Sequence, residues 1–226
     1  MLYKVWDDMS CCTEADAERL LSAVSPSRME KALKYKYLKG KWSCLKTGEM
    51  LHELLSPASP ALPDFAYNQY GKPYIDGMPD FSISHCPAAL AVAVADIDKN
   101  IGIDIETVRE YNETLSKRVM SEEEQQIIDS GSSKQTAFTL LWTLKEAYLK
   151  YIGTGITDEL TGTLHCFPVE TKQHLVDEVC NSGDNETASV KTATAEISNK
   201  NVCIDILTLF APAKGYVMSV IEGRKI

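Results

Sequence analysis

From Ile101 to Glu106 the chain reads Ile-Gly-Ile-Asp-Ile-Glu, with an isoleucine at every second position. A period of two is the mark of an extended strand, whose successive side chains leave opposite faces. Ile101, Ile103 and Ile105 therefore share one face, and Asp104 and Glu106 are placed together on the other. Just upstream, Phe-Ser-Ile-Ser-His (81–85) and Ala-Leu-Ala-Val-Ala-Val-Ala-Asp-Ile (89–97) read as two strands turning at Pro87, which makes 101–106 the third of a run. Two carboxylates side by side on a strand are either a solvated edge or half of a cation site. The motif alone leaves both readings open.

Helical signals surround these strands. Residues 14–24 are amphipathic, Ser25 is placed to cap a helix with Pro26 in its first turn, and a third helix is expected from about Lys41 to Leu55, before the proline-rich loop at 56–63. Tyr70–Gly77 reads as a turn. Ser121 and Glu124 form a capping box, and a long helical pattern runs from about Lys134 to Tyr151, ending at Gly153–Gly155. In the last third, 164–169, 202–210 and 216–223 read as strands, and the polar stretch 181–188 as a mobile loop. A faint echo links 85–94 with 210–220, each a Pro/Ala turn before an apolar strand. It would fit two similar α/β halves packed face to face around a site.

Composition narrows the partners. At 226 residues the chain can form one domain or two small ones, and its formal net charge of -9 argues against nonspecific nucleic-acid binding. The longest nearly unbroken apolar run, Pro87–Ala95, is far below the length needed to cross a bilayer. The first residues lack a secretion-signal pattern, so a cytoplasmic location is expected. Seven irregularly spaced cysteines suit reduced thiols rather than disulfides or zinc. Against the acidic background, Arg28, Lys31, Lys34, Lys36, Lys39, Lys41 and Lys46 face the single acid Glu30, which suits a small polyphosphate or an acidic partner.

The second chemical motif is Trp-Thr-Leu-Lys-Glu-Ala-Tyr-Leu-Lys (142–150). On a helix Trp142, Glu146 and Lys150 follow one another along one face, with Lys145 beside them, while Leu141, Leu144, Tyr148 and Tyr151 cover the opposite side. Alone, this is equally a surface helix with an i,i+4 ion pair. Taken together, the two motifs suggest a divalent cation held by Asp104, Glu106 and Glu146. Oxygen donors without nearby Cys or His suit Mg²⁺, or Mn²⁺, bound together with phosphate oxygens.

Gly102-Ile103-Asp104-Ile105-Glu106 and Trp142-x-x-Lys145-Glu146-Ala147-x-x-Lys150 resemble the paired signatures of the 4'-phosphopantetheinyl transferases, in particular the longer Sfp-type members built as two fused halves. Tyr70-Gly-Lys-Pro73, Ser82-Ile-Ser-His85 and the Ser-Pro start before Arg28 and Lys31 extend the resemblance over most of the chain, most weakly after about residue 160. It implies an α+β fold of two similar α/β halves related by a pseudo-twofold, each a small, mainly antiparallel sheet with a packed helix. The halves would be residues 1–102 on the coenzyme A nucleotide side and 103–226 carrying the metal and catalytic motifs.

The implied reaction moves the phosphopantetheine arm of coenzyme A to a serine of an acyl- or peptidyl-carrier protein and releases 3',5'-ADP. By the same resemblance, Mg²⁺ sits on Asp104, Glu106 and Glu146 and bridges the pyrophosphate of coenzyme A, which Lys150 also faces. Glu146 is placed both to hold the metal and to accept the serine proton, directly or through water, two roles that the sequence does not separate. Arg28, Lys31, Lys72 and His85 surround the nucleotide end, with Ser84 assisting. The segment 111–120, with Lys117, Arg118, Val119 and Met120, is the candidate carrier-docking region, and a monomer is expected. Two departures stand out: one residue inserted near Gly40, ahead of Trp-Ser-Cys-Leu-Lys-Thr-Gly at 42–48, and Cys86 in place of a small hydroxyl residue. The rival readings are a carboxylate-metal pyrophosphohydrolase acting on coenzyme A or a nucleotide, and a noncatalytic carrier-binding module.

Overall fold

Hydroxyl side chains fix most helix starts. Thr13 accepts from the Asp16 amide, Ser25 from Arg28 N and Ser133 from Thr136 N, while Ser121 and Glu124 complete a reciprocal capping box. The computed structural model describes residues 1–58, 62–155, 167–182, 186–197 and 200–225. In chain order the elements are β1 (Leu2–Trp6), α1 (Glu14–Leu21), α2 (Pro26–Leu33), α3 (Leu38–Leu55), β2 (Ala66–Tyr67), β3 (Pro73–Tyr74), β4 (Phe81–His85), β5 (Leu90–Val94) and β6 (Lys99–Thr107). They continue as α4 (Glu113–Val119), α5 (Glu122–Ser130), α6 (Lys134–Ile152), α7 (Val169–Asn181), β7 (Thr187–Ile197), β8 (Lys200–Ala211) and β9 (Tyr216–Arg224).

Two antiparallel sheets form, one in the order β1-β5-β4 and one in the order β6-β9-β8-β7, with β2 and β3 as a separate short pair. Strand alternation sorts the core into layers. On β5, Leu90, Val92 and Val94 pack toward Trp42, Leu45 and Leu51 of α3. The alternate residues Ala91 and Ala93 face Ile101, Ile103, Ile105, Met218 and Val220 of the second sheet. Alanines there let the two sheets approach closely. The far side of the second sheet, with Ile204, Ile206, Val217 and Ile221, packs on Leu140, Leu144 and Tyr148 of α6. The order is thus helix, sheet, sheet, helix, an α+β architecture of the expected class.

The seam between the sheets is unusual. β4 and β6 are both edge strands, and they face each other without a shared backbone ladder. Side chains take the place of the ladder. Asp80 Oδ2 accepts from Ile101 N at 2.8 Å, and Ser82 Oγ accepts from Ile103 N at 3.1 Å. Ser84 Oγ donates to Asp104 Oδ1 at 2.7 Å. Alternation along Asp80-Phe81-Ser82-Ile83-Ser84 is what aims all three at β6. The division expected at 102/103 falls inside β6, whose nine residues pair with β9 along their whole length.

Several expectations need correction. Helix α3 begins at Leu38 rather than about Lys41. Of the strand expected at 164–169, residues 164–166 lie outside the described residues, and Val169 opens helix α7 instead. Within the expected loop at 181–188, residues 183–185 lie outside the described residues, while Thr187 already belongs to β7. β1 and α4 were not anticipated.

Candidate active site

The site is built where α6 crosses β6. A Cβ placed on Gly102 would lie 1.9 Å from Ala147 O and 2.4 Å from Tyr151 N, so only glycine lets helix backbone rest on strand backbone here. Glu146 and Lys150 flank that contact on the helix, and Asp104 follows it on the strand. Lys150 Nζ donates to Asp104 Oδ1 at 2.7 Å and to Ser84 Oγ at 3.0 Å. Ser84 and Asp104 are both buried, and Ser84 holds the carboxylate from β4.

Glu146 is the strained member of the group. Its Oε1 is buried and has no hydrogen-bond partner among the described residues. Burial first, and then the negative charges of Asp104 and Glu106, push its carboxyl above the usual range, against a partial offset from Lys150. Glu106 is turned toward its own chain: Oε1 accepts from Thr107 N at 2.9 Å and from Arg109 Nη2 at 3.1 Å. Among the described residues, no group of three or more His, Cys, Asp and Glu side chains stands ready to hold a metal ion. The donor chemistry nevertheless fits one. An unpartnered carboxylate oxygen, felt by two further carboxylates, is an acidic cluster short of positive charge.

A raised carboxyl pKa means that folding favours the protonated form. The stability contributed by Glu146 is therefore present at low pH and lost as pH rises through its elevated folded value. Glu146→Gln is accordingly expected to raise Tm in metal-free buffer at neutral pH, by about 2–4 °C for each kcal/mol of ionisation penalty removed, as read by calorimetry. A Tm gain that persists at pH 4 would contradict this cause.

Other residues of the expected active helix face divide. Trp142 stacks on Phe138 at 6.4 Å between ring centres, in an aromatic cluster with Tyr111. Lys145 is not on the carboxylate face. It is buried and pairs with Glu124 at 2.7 Å, and Lys172 of α7 meets the other oxygen of Glu124 at 2.9 Å. This buried triad ties α5, α6 and α7 together behind the site.

On the side expected to take the nucleotide, a cleft of about 810 Å³ is lined by Arg28, Lys31, Lys39, His85, Glu106 and Arg109 among others. Arg28 is fixed there. Its Nε donates to Cys44 O at 2.9 Å, its guanidinium lies 4.8 Å from the centre of the Phe65 ring, and burial pulls its pKa below the usual arginine value. Gly48 makes room, since a Cβ there would lie 2.9 Å from Arg28 Nε. Lys31 Nζ donates to Tyr67 Oη at 3.3 Å. The cleft adjoins a smaller pocket of about 250 Å³, lined by Lys72 and Lys150, and the two share Gly71, Pro73 and Ile83.

Arg28, Lys31, His85 and Glu106 therefore meet in one cleft, while Asp104, Glu146, Lys150 and Ser84 gather beside it. Lys72 stands apart from the first group. Its Nζ donates to Asp80 Oδ2 at 2.6 Å and to Ile101 O at 3.0 Å, bracing the edge of β6. Lys72→Ala is expected to cost about 1–3 kcal/mol in urea unfolding, the scale for a largely buried charged hydrogen bond. In the segment 111–120, Leu115, Lys117 and Arg118 are exposed, whereas Val119 and Met120 are buried in the core and are not available for docking.

Sequence reasoning missed Asp80 and Arg109, and read Ser82 only as part of a motif and Glu124 only as a helix cap. The alternating Asp80, Ser82 and Ser84 were a legible signal. Nothing in the sequence linked Glu124 to Lys172, 48 positions away.

Carboxylates and a lysine at a strand–helix crossing, beside a cleft rich in cations, give this two-sheet α+β protein the charge pattern that suits a phosphate-bearing ligand. The profile of the 4'-phosphopantetheinyl transferase superfamily matches residues 100–207. A Bacillus subtilis 4'-phosphopantetheinyl transferase is 30% identical over 69% of this chain and 71% of its own length. The 4'-phosphopantetheinyl transferase Sfp of Bacillus subtilis (strain 168) is 28% identical over 73% of this chain and 76% of its own. The 4'-phosphopantetheinyl transferase gsp of Aneurinibacillus migulanus reaches 35% over 41% of this chain and 39% of its own. The chain belongs to the 4'-phosphopantetheinyl transferase superfamily. It is an enzyme that places a phosphopantetheine arm on a carrier protein.

Proposed function

We propose that the chain uses coenzyme A as donor and a serine of an acyl- or peptidyl-carrier protein as acceptor, with Asp104, Glu106 and Glu146 holding Mg²⁺. The observation that carries this reading is the convergence of Asp104, Glu146 and Lys150 at the Gly102 crossing, beside the cleft that holds Arg28, Lys31 and His85. Residues 1–102 supply the nucleotide side and 103–226 the acidic and catalytic side. Bound there, Mg²⁺ would neutralise charge on the pyrophosphate oxygens.

Arg28, Lys31 and His85 receive the nucleotide phosphate through charge-assisted hydrogen bonds, and Lys72 stands at the neighbouring pocket. Lys150, held by Asp104 and Ser84, presents an ammonium to the phosphate oxygens as charge develops. The serine oxygen forms a bond to the phosphorus that carries pantetheine. The bridging P–O bond breaks and 3',5'-ADP leaves. Glu146 takes the serine proton, directly or through water. The exposed face of α4, with Leu115, Lys117 and Arg118, offers the basic and apolar contact that an acidic carrier needs from an acidic enzyme. No helix among the described residues is long and apolar enough to cross a membrane. A cytoplasmic monomer completes the reading.

The test is mass measurement of a purified carrier incubated with coenzyme A and Mg²⁺. A carrier heavier by one phosphopantetheine arm is expected, with loss of the product on chelation. Free phosphopantetheine with an unmodified carrier would identify a hydrolase instead.

A further inference from the structure

Two of the three carboxylates assigned to the metal already hold an internal cation. Asp104 is paired with Lys150 at 2.7 Å, and Glu106 with Arg109 at 3.1 Å, while Glu146 keeps an unpartnered oxygen. Among the described residues the three acids do not form a ready cage. The Glu106–Arg109 pair is also a weak latch. The Arg109 side chain is 67% exposed and that of Glu106 31%, and such a pair shifts an equilibrium only a few-fold. Both residues line the large cleft together with Arg28 and Lys31. A guanidinium let go by Glu106 therefore stays on the wall where phosphate groups would lie, and its planar fork suits them.

We propose that Arg109 is the resident counter-ion of Glu106, displaced when a divalent cation takes that carboxylate and then free to pair with the phosphates of the substrate. The inference rests on the metal reading given above. It makes metal and coenzyme A binding help one another through one side chain, in either order. It also assigns Arg109 two opposite effects, which a merely structural arginine would not have.

The experiment measures Mn²⁺ affinity by electron paramagnetic resonance of the free ion, without coenzyme A, and then coenzyme A affinity by calorimetry at saturating Mn²⁺. Arg109→Ala is expected to bind Mn²⁺ roughly two- to fivefold more tightly and coenzyme A several-fold more weakly. Lys39→Ala is the control. It removes the same charge from the same cleft, but Lys39 Nζ donates to Pro87 O at 2.9 Å rather than to Glu106, so its Mn²⁺ affinity should not change. Unchanged or weaker Mn²⁺ binding by Arg109→Ala, unweakened coenzyme A binding, or equal tightening by Lys39→Ala overturns the role of Arg109 and leaves the metal site standing. Failure of the unaltered protein to take up Mn²⁺ even with coenzyme A present overturns both.

Discussion

Asp104→Ala is expected to lower kcat/KM for carrier modification at least about 100-fold, the scale seen when a principal charge-stabilising group is lost from a catalytic site. The loss is compounded because Asp104 does two things. It supplies a carboxylate to the acidic cluster, and it fixes Lys150, whose ammonium contacts both Asp104 and Ser84. Folding should survive, since Lys150 is 30% exposed at its side chain and can turn to water when its partner is removed. Initial rates by mass spectrometry, with circular dichroism to verify the fold, measure the effect. Near-normal transfer by this variant would remove the acidic cluster from the mechanism.

Gly102→Ala is expected to be the most damaging Gly-to-Ala change among the described residues. The added carbon would fall 1.9 Å from Ala147 O and 2.4 Å from Tyr151 N, and both are backbone atoms that no rotamer change can move aside. Either α6 lifts from β6 or the strand bends. The cost should reach the range reserved for severe core defects, at least about 4 kcal/mol, or roughly 10 °C in Tm for a chain of this size. Because α6 carries Glu146 and Lys150, the folded fraction that remains should also have lost transfer. A variant with unchanged Tm and rate would show that the close crossing is not required.

The legible parts of the fold were those with local causes. The isoleucine alternation of β6, the hydroxyl caps before α2 and α5, and the left-handed Gly153 that closes α6 all write their structure into neighbouring residues. α7 was missed although Lys172, Leu175, Val176 and Val179 carry helical spacing, because Phe167-Pro-Val169 in front of it imitates a strand. β1 is short and pairs only with β5, nearly ninety positions away, so its strand character comes from a partner that its own sequence does not name.

The site divided in the same way. Asp104, Glu146 and Lys150 could be read from spacing and resemblance. That Lys145 serves Glu124, or that Lys72 braces Ile101, depends on helix crossings and edge contacts that appear only once the chain is packed.

The side-chain seam between β4 and β6 has one more consequence. A bare strand edge offers its amides to any passing chain and is a common start for aggregation and exchange of segments between molecules. Here Asp80 and Ser82 occupy the outward amides of Ile101 and Ile103, and Lys72 occupies the carbonyl of Ile101. The contacts that join the two sheets thus also blunt this edge next to the active site against pairing with a foreign strand.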